Sequence, residues 1–532
     1  MALKKKNNMT RALLSTGALA FMGMATSSAQ AASGESIIKD RCLICHTETG
    51  DAAAPFSRIS QQRKTPEGWL MTISRMQQQR GLVISPDEKR ELVKYLADKQ
   101  GLAPSETENL RYVLEKEPNV VESFEPLLQE TCVRCHSGAR IALQRRTEDE
   151  WKWLVHFHMG QQPTAELHAG ARDRAWFDIA LNQVAPYLGQ KFNFDTDAWQ
   201  QWQAQAKQPL SGRWAVHGFL PEKGNFDATM QVTMQSKDHY QISLEGNYAD
   251  GSPLAGQGKA VVYTGYEWRG TVTVGGVQMR QVFAASADGQ SLVGRMYPNE
   301  DDVMGGQIKA VKKTAITAIT PSYIKQGEQA LLTVSGYQLN GKVNLGSGLK
   351  LLEVVSKNDN RWVLKVQASP KASVGTRHIK IGNTSASEPL AVYDQLARVE
   401  ITPNDSIARV GGGGGKIPKQ KSVYRAVGYA AGADGKVGTL DDLRLGYMTA
   451  NWSLKPFDET AVHDNDIQYA GQIDARGIFT PGDAGPNPAR KMSTNNVGNL
   501  GVVGTVQEDG KSISGESHLL VTVQKFVRAV IE

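Results

Sequence analysis

Cys42-Leu43-Ile44-Cys45-His46 and Cys132-Val133-Arg134-Cys135-His136 are the two stretches that decide how this chain is read. Between them they contain all four of its cysteines. C-x-x-C-H is the attachment pattern of a c-type haem. Two thiols three positions apart reach the two vinyl groups on one edge of the macrocycle, and the adjacent imidazole falls under the iron. A redox dithiol, a four-thiolate zinc site or a pair of disulfides would also use cysteines. Each of those leaves the two matched histidines without a task. The expectation is therefore two covalently bound haem c groups, held by Cys42, Cys45, His46, Cys132, Cys135 and His136.

An internal repeat extends outward from the motifs and supplies candidates for the sixth ligand. Thr65-Pro66-Glu67-Gly68-Trp69 aligns with Thr147-Glu148-Asp149-Glu150-Trp151. Four residues after each Trp come Ile73 and Val155, and seven after come Met76 and His158. Offsets of four and seven return to one face of an α-helix. Each unit then runs to a similar ending, Tyr95-Leu96 and Tyr187-Leu188. The expected iron ligands are His46 and Met76 in the first unit, and His136 and His158 in the second. Met71 points about 140° away from Met76 on such a helix, and His156 faces nearly opposite His158. His168, in a loop, and Met159, beside His158, remain competitors. A His/Met site has the higher potential than a His/His site, so electrons are expected to enter at the second haem and leave from the first.

The 532 residues exceed one core and call for four or five domains. Lys4, Lys5, Lys6 and Arg11 precede an apolar, uncharged stretch and an Ala29-Gln30-Ala31 cleavage pattern, so residues 1–31 read as an export signal. Removing those four cations lowers the formal charge from +6 to +2. The expected location is the periplasm, with no membrane span. No basic block interleaved with aromatics points to nucleic acid.

The fold class expected is multidomain α plus β. Residues 32–101 and 102–208 form two mainly helical cytochrome c units. Ser85-Pro86-Asp87-Glu88 marks a helix start within the first. Beyond residue 209 strict alternation sets in, as in Tyr240, Ile242 and Leu244, or Val272 and Val274 around the Gly275-Gly276 turn. Three antiparallel β barrel or sandwich domains are expected: a barrel over 209–313, an immunoglobulin-like sandwich over 314–394 and a larger β domain over 395–532. The middle one carries strands at Leu331–Val334, Trp362–Val366 and His378–Ile381.

Two loops in the last domain invite a site and fall short. The Gly411–Gly415 run before Lys416 lacks the first Gly and the Ser or Thr of a phosphate loop, and reads as a flexible loop. Asp434-Gly435 with Gly438, Asp441 and Asp442 does not follow EF-hand spacing; a solvated turn fits better, and calcium stays open. No nucleophile–base–acid set is visible, so no catalytic residue is assigned.

Taken together, the leader, the CLICH and CVRCH pair, the Thr-x-x-x-Trp helices leading to Met76 and His158, and three β domains behind them make the chain resemble the alpha subunit of quinohaemoprotein amine dehydrogenase. The resemblance covers essentially the full length. It implies a periplasmic heterotrimer that oxidises primary amines to aldehyde and ammonia. It also implies a small gamma subunit carrying cysteine tryptophylquinone, a β-propeller beta subunit, and a soluble copper protein or cytochrome c as acceptor. All four cysteines here are committed to haem, so any such quinone must sit on another chain, and this polypeptide alone is expected only to transfer electrons. Two rival classes are a stand-alone dihaem peroxidase, which needs an open sixth position, and a polymer-binding protein using its β domains.

Overall fold

The computed structural model describes residues 33–167, 173–432, 434–490 and 495–524. The export signal and His168 lie outside the described residues.

The two N-terminal units are built on one plan. In each, a short strand enters a helix through a Thr N-cap. Gln62–Lys64 leads to the Pro66–Arg80 helix, and Gln144–Arg146 leads to the Glu148–Gln161 helix. Thr65 Oγ1 accepts from Gly68 N and Thr147 Oγ1 from Glu150 N, satisfying an N–H that the first helical turn leaves free. The two strands pair antiparallel, with Arg63 opposite Arg145. Trp69 and Trp151 are buried at the same point of each helix, with Ile73 and Val155 one turn on. Each indole donates to a matched carbonyl, Trp69 Nε1 to Gln100 O at 3.0 Å and Trp151 Nε1 to Phe192 O at 3.3 Å. The same two carbonyls accept from Lys64 N and Arg146 N. Gln100 and Phe192 cap the helices Pro86–Lys99 and Ala185–Lys191, which carry the repeated Tyr-Leu. Ser85 closes a capping box with Glu88 at the first of these, as expected. Among the described residues no helix is long and apolar enough to cross a membrane.

A buried ion triad joins the units. Arg63 Nη1 lies 2.9 Å from Glu106 Oε2, and Arg145 Nε lies 3.0 Å from Glu106 Oε1. The pairing of the two strands brings both arginines to one carboxylate that follows the first unit in the chain.

Eight antiparallel strands between Gly212 and Val311 close into a barrel in simple up-and-down order, the last pairing with the first. Alternation puts Tyr240, Ile242, Leu244, Val272 and Val274 inside. Gly275 and Gly276, both at positive φ, form the two-residue turn between Val274 and Val277. Side chains fill the interior and leave a void of about 10 Å³, at the lower limit for one water. The barrel is thus a packed support rather than a ligand cup. Trp202 of the Asp197–Ala204 helix and Ala103 belong to its core. Trp202 Nε1 donates to Thr264 O and Tyr266 OH to Leu102 O. At the same seam Glu267, 1% exposed, receives Arg111 at 2.8 Å and Arg269 at 2.7 Å, and Arg269 also reaches Glu67 at 2.5 Å. The helical units and the barrel are therefore locked by both apolar packing and charge.

The two remaining regions are sheet-built around separate cores. Ala315–Tyr393 contains a four-stranded sheet and two three-stranded sheets, with Gln329–Tyr337 central in the first. Arg398–Thr522 contains two three-stranded sheets and one four-stranded sheet. Two ladders depart from the antiparallel rule: Tyr323–Lys325 with Leu390–Tyr393, and Asp405–Arg409 with Lys511–Thr522. Each joins the second strand of its region to the last.

Candidate functional site

In each unit the C-x-x-C-H segment follows a short helical run, Ile38–Cys42 or Pro126–Thr131. The first thiol of each pair is half-buried and the second is exposed; all four are free. Burial pushes the Cys42 thiol up to about 11 and raises Cys132 as well. A thiol held neutral is a poor metal thiolate, whereas a thioether to a vinyl carbon carries no charge. Among the described residues no three His, Cys, Asp or Glu side chains gather as a metal-ion site. The four thiols therefore do not come together as the zinc alternative requires.

The two motif histidines are oriented alike. His46 Nδ1 lies 2.9 Å from Ser57 O, and His136 Nδ1 lies 3.0 Å from Ser137 O. An Nδ1–H given to a carbonyl fixes the tautomer and leaves Nε2 with its lone pair for a metal. The supporting loops are pinned. Ser57 Oγ accepts from Thr47 N at 2.9 Å, while Glu122 accepts from Gly138 N, Ala139 N and Tyr112 OH. Tyr112 lies in the short Arg111–Leu114 helix and Glu122 in an irregular segment ahead of the motif, and no sequence pattern singles them out.

In the second unit the ring centroids of His136 and His158 are 6.2 Å apart. Two imidazoles trans on one iron would stand about 6 Å apart, given metal–nitrogen bonds of about 2.0 Å and the ring centre roughly 1 Å beyond each nitrogen. The donor set fits a bis-imidazole haem. His158 also stacks on Trp176, with centroids at 5.6 Å, and Trp176 is fixed by its own bond from Nε1 to Thr131 O. Burial, then His136, Arg75 and Arg140, lower the His158 pKa, which favours the neutral ring that binds metal. His156 turns elsewhere: it is exposed and packs between Trp153 and Phe177. Met159 lies against the apolar core of this unit.

In the first unit Met76 is half-buried near the end of its helix, on the face that carries Trp69 and Ile73 into the core. Its thioether is the soft donor available there. Met71 is engaged otherwise, its sulfur accepting from Arg75 Nη2 and Arg140 Nη2, each at 2.8 Å. Around the junction Lys64 is buried against Trp69 and donates to Thr72 Oγ1, and Arg58 and Arg146 share Glu150.

Among the described residues, the carboxylates of the first loop are engaged within the protein. Asp434, Asp441 and Asp442 accept from loop N–H groups and from Arg398, as a self-closed turn does. The glycine run forms a loop with Gly412, Gly413 and Gly414 at positive φ.

A duplicated helical unit with a thiol pair and an oriented imidazole in each copy, mounted on a barrel and two further sheet regions, defines a multidomain haem-binding protein. Four family models match consecutive stretches of the chain. They are quinohemoprotein amine dehydrogenase A, alpha subunit, haem binding, over residues 32–199, and the same subunit's domain II over 207–313, domain III over 313–394 and domain IV over 399–531. The chain belongs to the quinohaemoprotein amine dehydrogenase alpha-subunit family, a component of a multi-subunit oxidoreductase. A search of curated proteins finds no match. Similar solved structures include a redesigned β-barrel bound to DFHBI (17% identity, 20% of this chain and 94% of that one, TM-score 0.18). Others are a Bacteroides ovatus glucan-utilisation protein, SGBP-B (10% identity, 58% and 60%, TM-score 0.18), and protocadherin gamma B2 cadherin domains 1–5 (10%, 60% and 73%, TM-score 0.16).

Proposed function

We propose that this chain is the dihaem c electron-transfer subunit of a periplasmic amine dehydrogenase, exported by its first 31 residues. Cys42 and Cys45 would hold one haem by thioether bonds, and Cys132 and Cys135 the other. His46 and Met76 would be the axial ligands of the first, His136 and His158 those of the second. When bound, the haems supply one-electron redox chemistry. The protein's part is to fix each imidazole by its Nδ1 bond, to stack His158 on Trp176, and to hold the two units in register through Arg63, Glu106 and Arg145. Electrons would arrive from a cysteine tryptophylquinone on a small gamma subunit, beside a β-propeller beta subunit, as a primary amine becomes aldehyde and ammonia. They would leave for a copper protein or cytochrome c.

The observation that carries this reading is the His136–His158 separation of 6.2 Å, with the outer nitrogen of each motif imidazole already engaged. If Met76 and His158 both ligate, a stand-alone peroxidase loses the open position it needs. The test uses protein purified from its native periplasm. A pyridine haemochrome assay should return two haems per chain. Adding a primary amine should reduce them, and separating the small partner should abolish that reduction. Two haems indifferent to amines but active on peroxide would replace the proposal with the peroxidase; absence of haem would end it.

A further inference from the structure

Arg75 and Arg140 come from different haem units yet converge on one atom. Each Nη2 lies 2.8 Å from Met71 Sδ, so the two guanidinium ends stand within roughly 6 Å of each other. A thioether is a weak acceptor and neutralises nothing. Among the described residues neither arginine has a carboxylate partner. The surroundings add to the excess. Lys64 is buried nearby, and Arg146 and Arg75 act on it more strongly than Glu150 does. An anion between two like charges relieves their repulsion, and a planar guanidinium fork is shaped for a carboxylate.

The position of the pair identifies the anion. Arg75 immediately precedes Met76, the proposed ligand of the first iron. Arg140 follows His136 by four residues, at the start of the Ala139–Ala142 turn. Each arginine of the pair thus lies within four residues of a proposed iron ligand of its own unit, and on the two-haem reading the propionates are the carboxylates that would come near it. We propose that Arg75 and Arg140 form one cradle shared by the two haems, taking a propionate from each and holding both iron potentials up together. This rests on the two-haem reading above. A cation beside a propionate offsets negative charge near the iron, which disfavours the ferric state. Loss of either arginine should then lower both potentials.

The test is spectroelectrochemical titration of the full chain carrying R75Q or R140Q, with a haem count on each sample. Resonance Raman spectra of the propionate-bending bands provide a second readout. The expected result is two haems per chain and both midpoints lowered in either variant. Each should fall by about 59 mV, a roughly tenfold shift of the one-electron equilibrium, with altered propionate bands. R75K and R140K should restore most of the loss by returning the charge, and they provide the comparison if a Gln variant loses haem. Unchanged midpoints and bands in haem-replete variants would overturn the cradle. A shift confined to the haem of the mutated unit would overturn its sharing. A wild-type count below two would instead defeat the underlying reading.

Discussion

Glu106→Gln removes the charge that joins the two haem units, and its cost can be worked from the geometry. Oε1 accepts from Arg63 Nη2 at 3.0 Å, from Thr196 Oγ1 at 3.0 Å, and has Arg145 Nε at 3.0 Å. Oε2 accepts from Arg63 Nη1 at 2.9 Å and from Ala103 N at 2.8 Å. Burial pushes the Glu106 carboxyl up, but Arg63 and Arg145 outweigh it and hold the pKa below its ordinary value. A glutamine fills the same volume, yet either orientation of its amide turns an NH2 toward at least two donors. The arginines, 1% and 8% exposed at the side chain, would be left facing each other. Roughly 8 Å apart, they repel by about 2 kcal/mol at an effective dielectric constant near 20. Removing one partner of a buried pair costs about 3–5 kcal/mol in all. Urea unfolding of the holoprotein, followed by Soret circular dichroism, reads the haem units alone in this multidomain chain. With a slope of about 2 kcal/mol/M, the midpoint should fall by about 2 M without a change of slope. Adding Arg145→Met to Glu106→Gln should recover part of the loss, because it removes the repulsion. A fall under about 0.5 M, or strict additivity of the two changes, would refute the reasoning.

Other outcomes follow from the same coordinates. Burial alone would raise the Glu267 pKa, but Arg111 and Arg269 bring it down to about 2 from an ordinary 4.5. Its contribution is therefore complete above pH 4.5 and lost as pH falls toward 2, on the order of 3 kcal/mol. Urea midpoints between those pH values should slope less steeply in Glu267→Gln than in the parent; equal slopes would count against the assignment. Trp176→Ala should cost about 3–5 kcal/mol through the cavity it leaves. It should also alter the ferric low-spin electron paramagnetic resonance signal of the second haem, since the ring stacked on His158 is gone. His158→Ala should turn that haem high-spin in its optical spectrum, while the first stays unchanged. Gly306→Ala would drive a Cβ into the Phe219 carbonyl at the strand pair that closes the barrel. Its soluble yield should collapse, and a normally folded variant would show that the seam can yield.

What the sequence discloses follows the range of each interaction. The proposed thioether attachment places two thiols and an imidazole within five residues, so both C-x-x-C-H segments are visible by eye. The ligand helices are visible because Trp69 and Trp151 open two copies of one pattern, and the faces they define are the buried ones. The barrel announces itself through alternation and the Gly275-Gly276 turn, both local. The Asp405–Arg409 strand gives no such notice that it pairs parallel with Lys511–Thr522. Parallel pairing needs no turn, so it leaves no adjacent signal. Glu106, Trp176 and the Arg75–Arg140 pair are silent for the same reason. Each matters through a partner tens of residues away, and an isolated Glu or Arg in a polar stretch looks like solvated surface.

The duplication also shows how one scaffold can present two unlike side chains at the proposed ligand position. Four features of the helix recur in both copies: the Thr cap, the buried Trp, its bond to the carbonyl that caps a later helix of the same unit, and the β-branched residue one turn on. The position seven residues after the Trp lies beyond these constraints, at the helix end, half-buried and facing inward. A change there alters the donor atom without disturbing the cap, the indole or the strand pair. Met76 and His158 can thus differ while their helices stay superimposable in plan. On the two-haem reading proposed above, a difference in potential would need only that one change, set in a frame whose energy lies elsewhere, in the Trp core and the Glu106 triad.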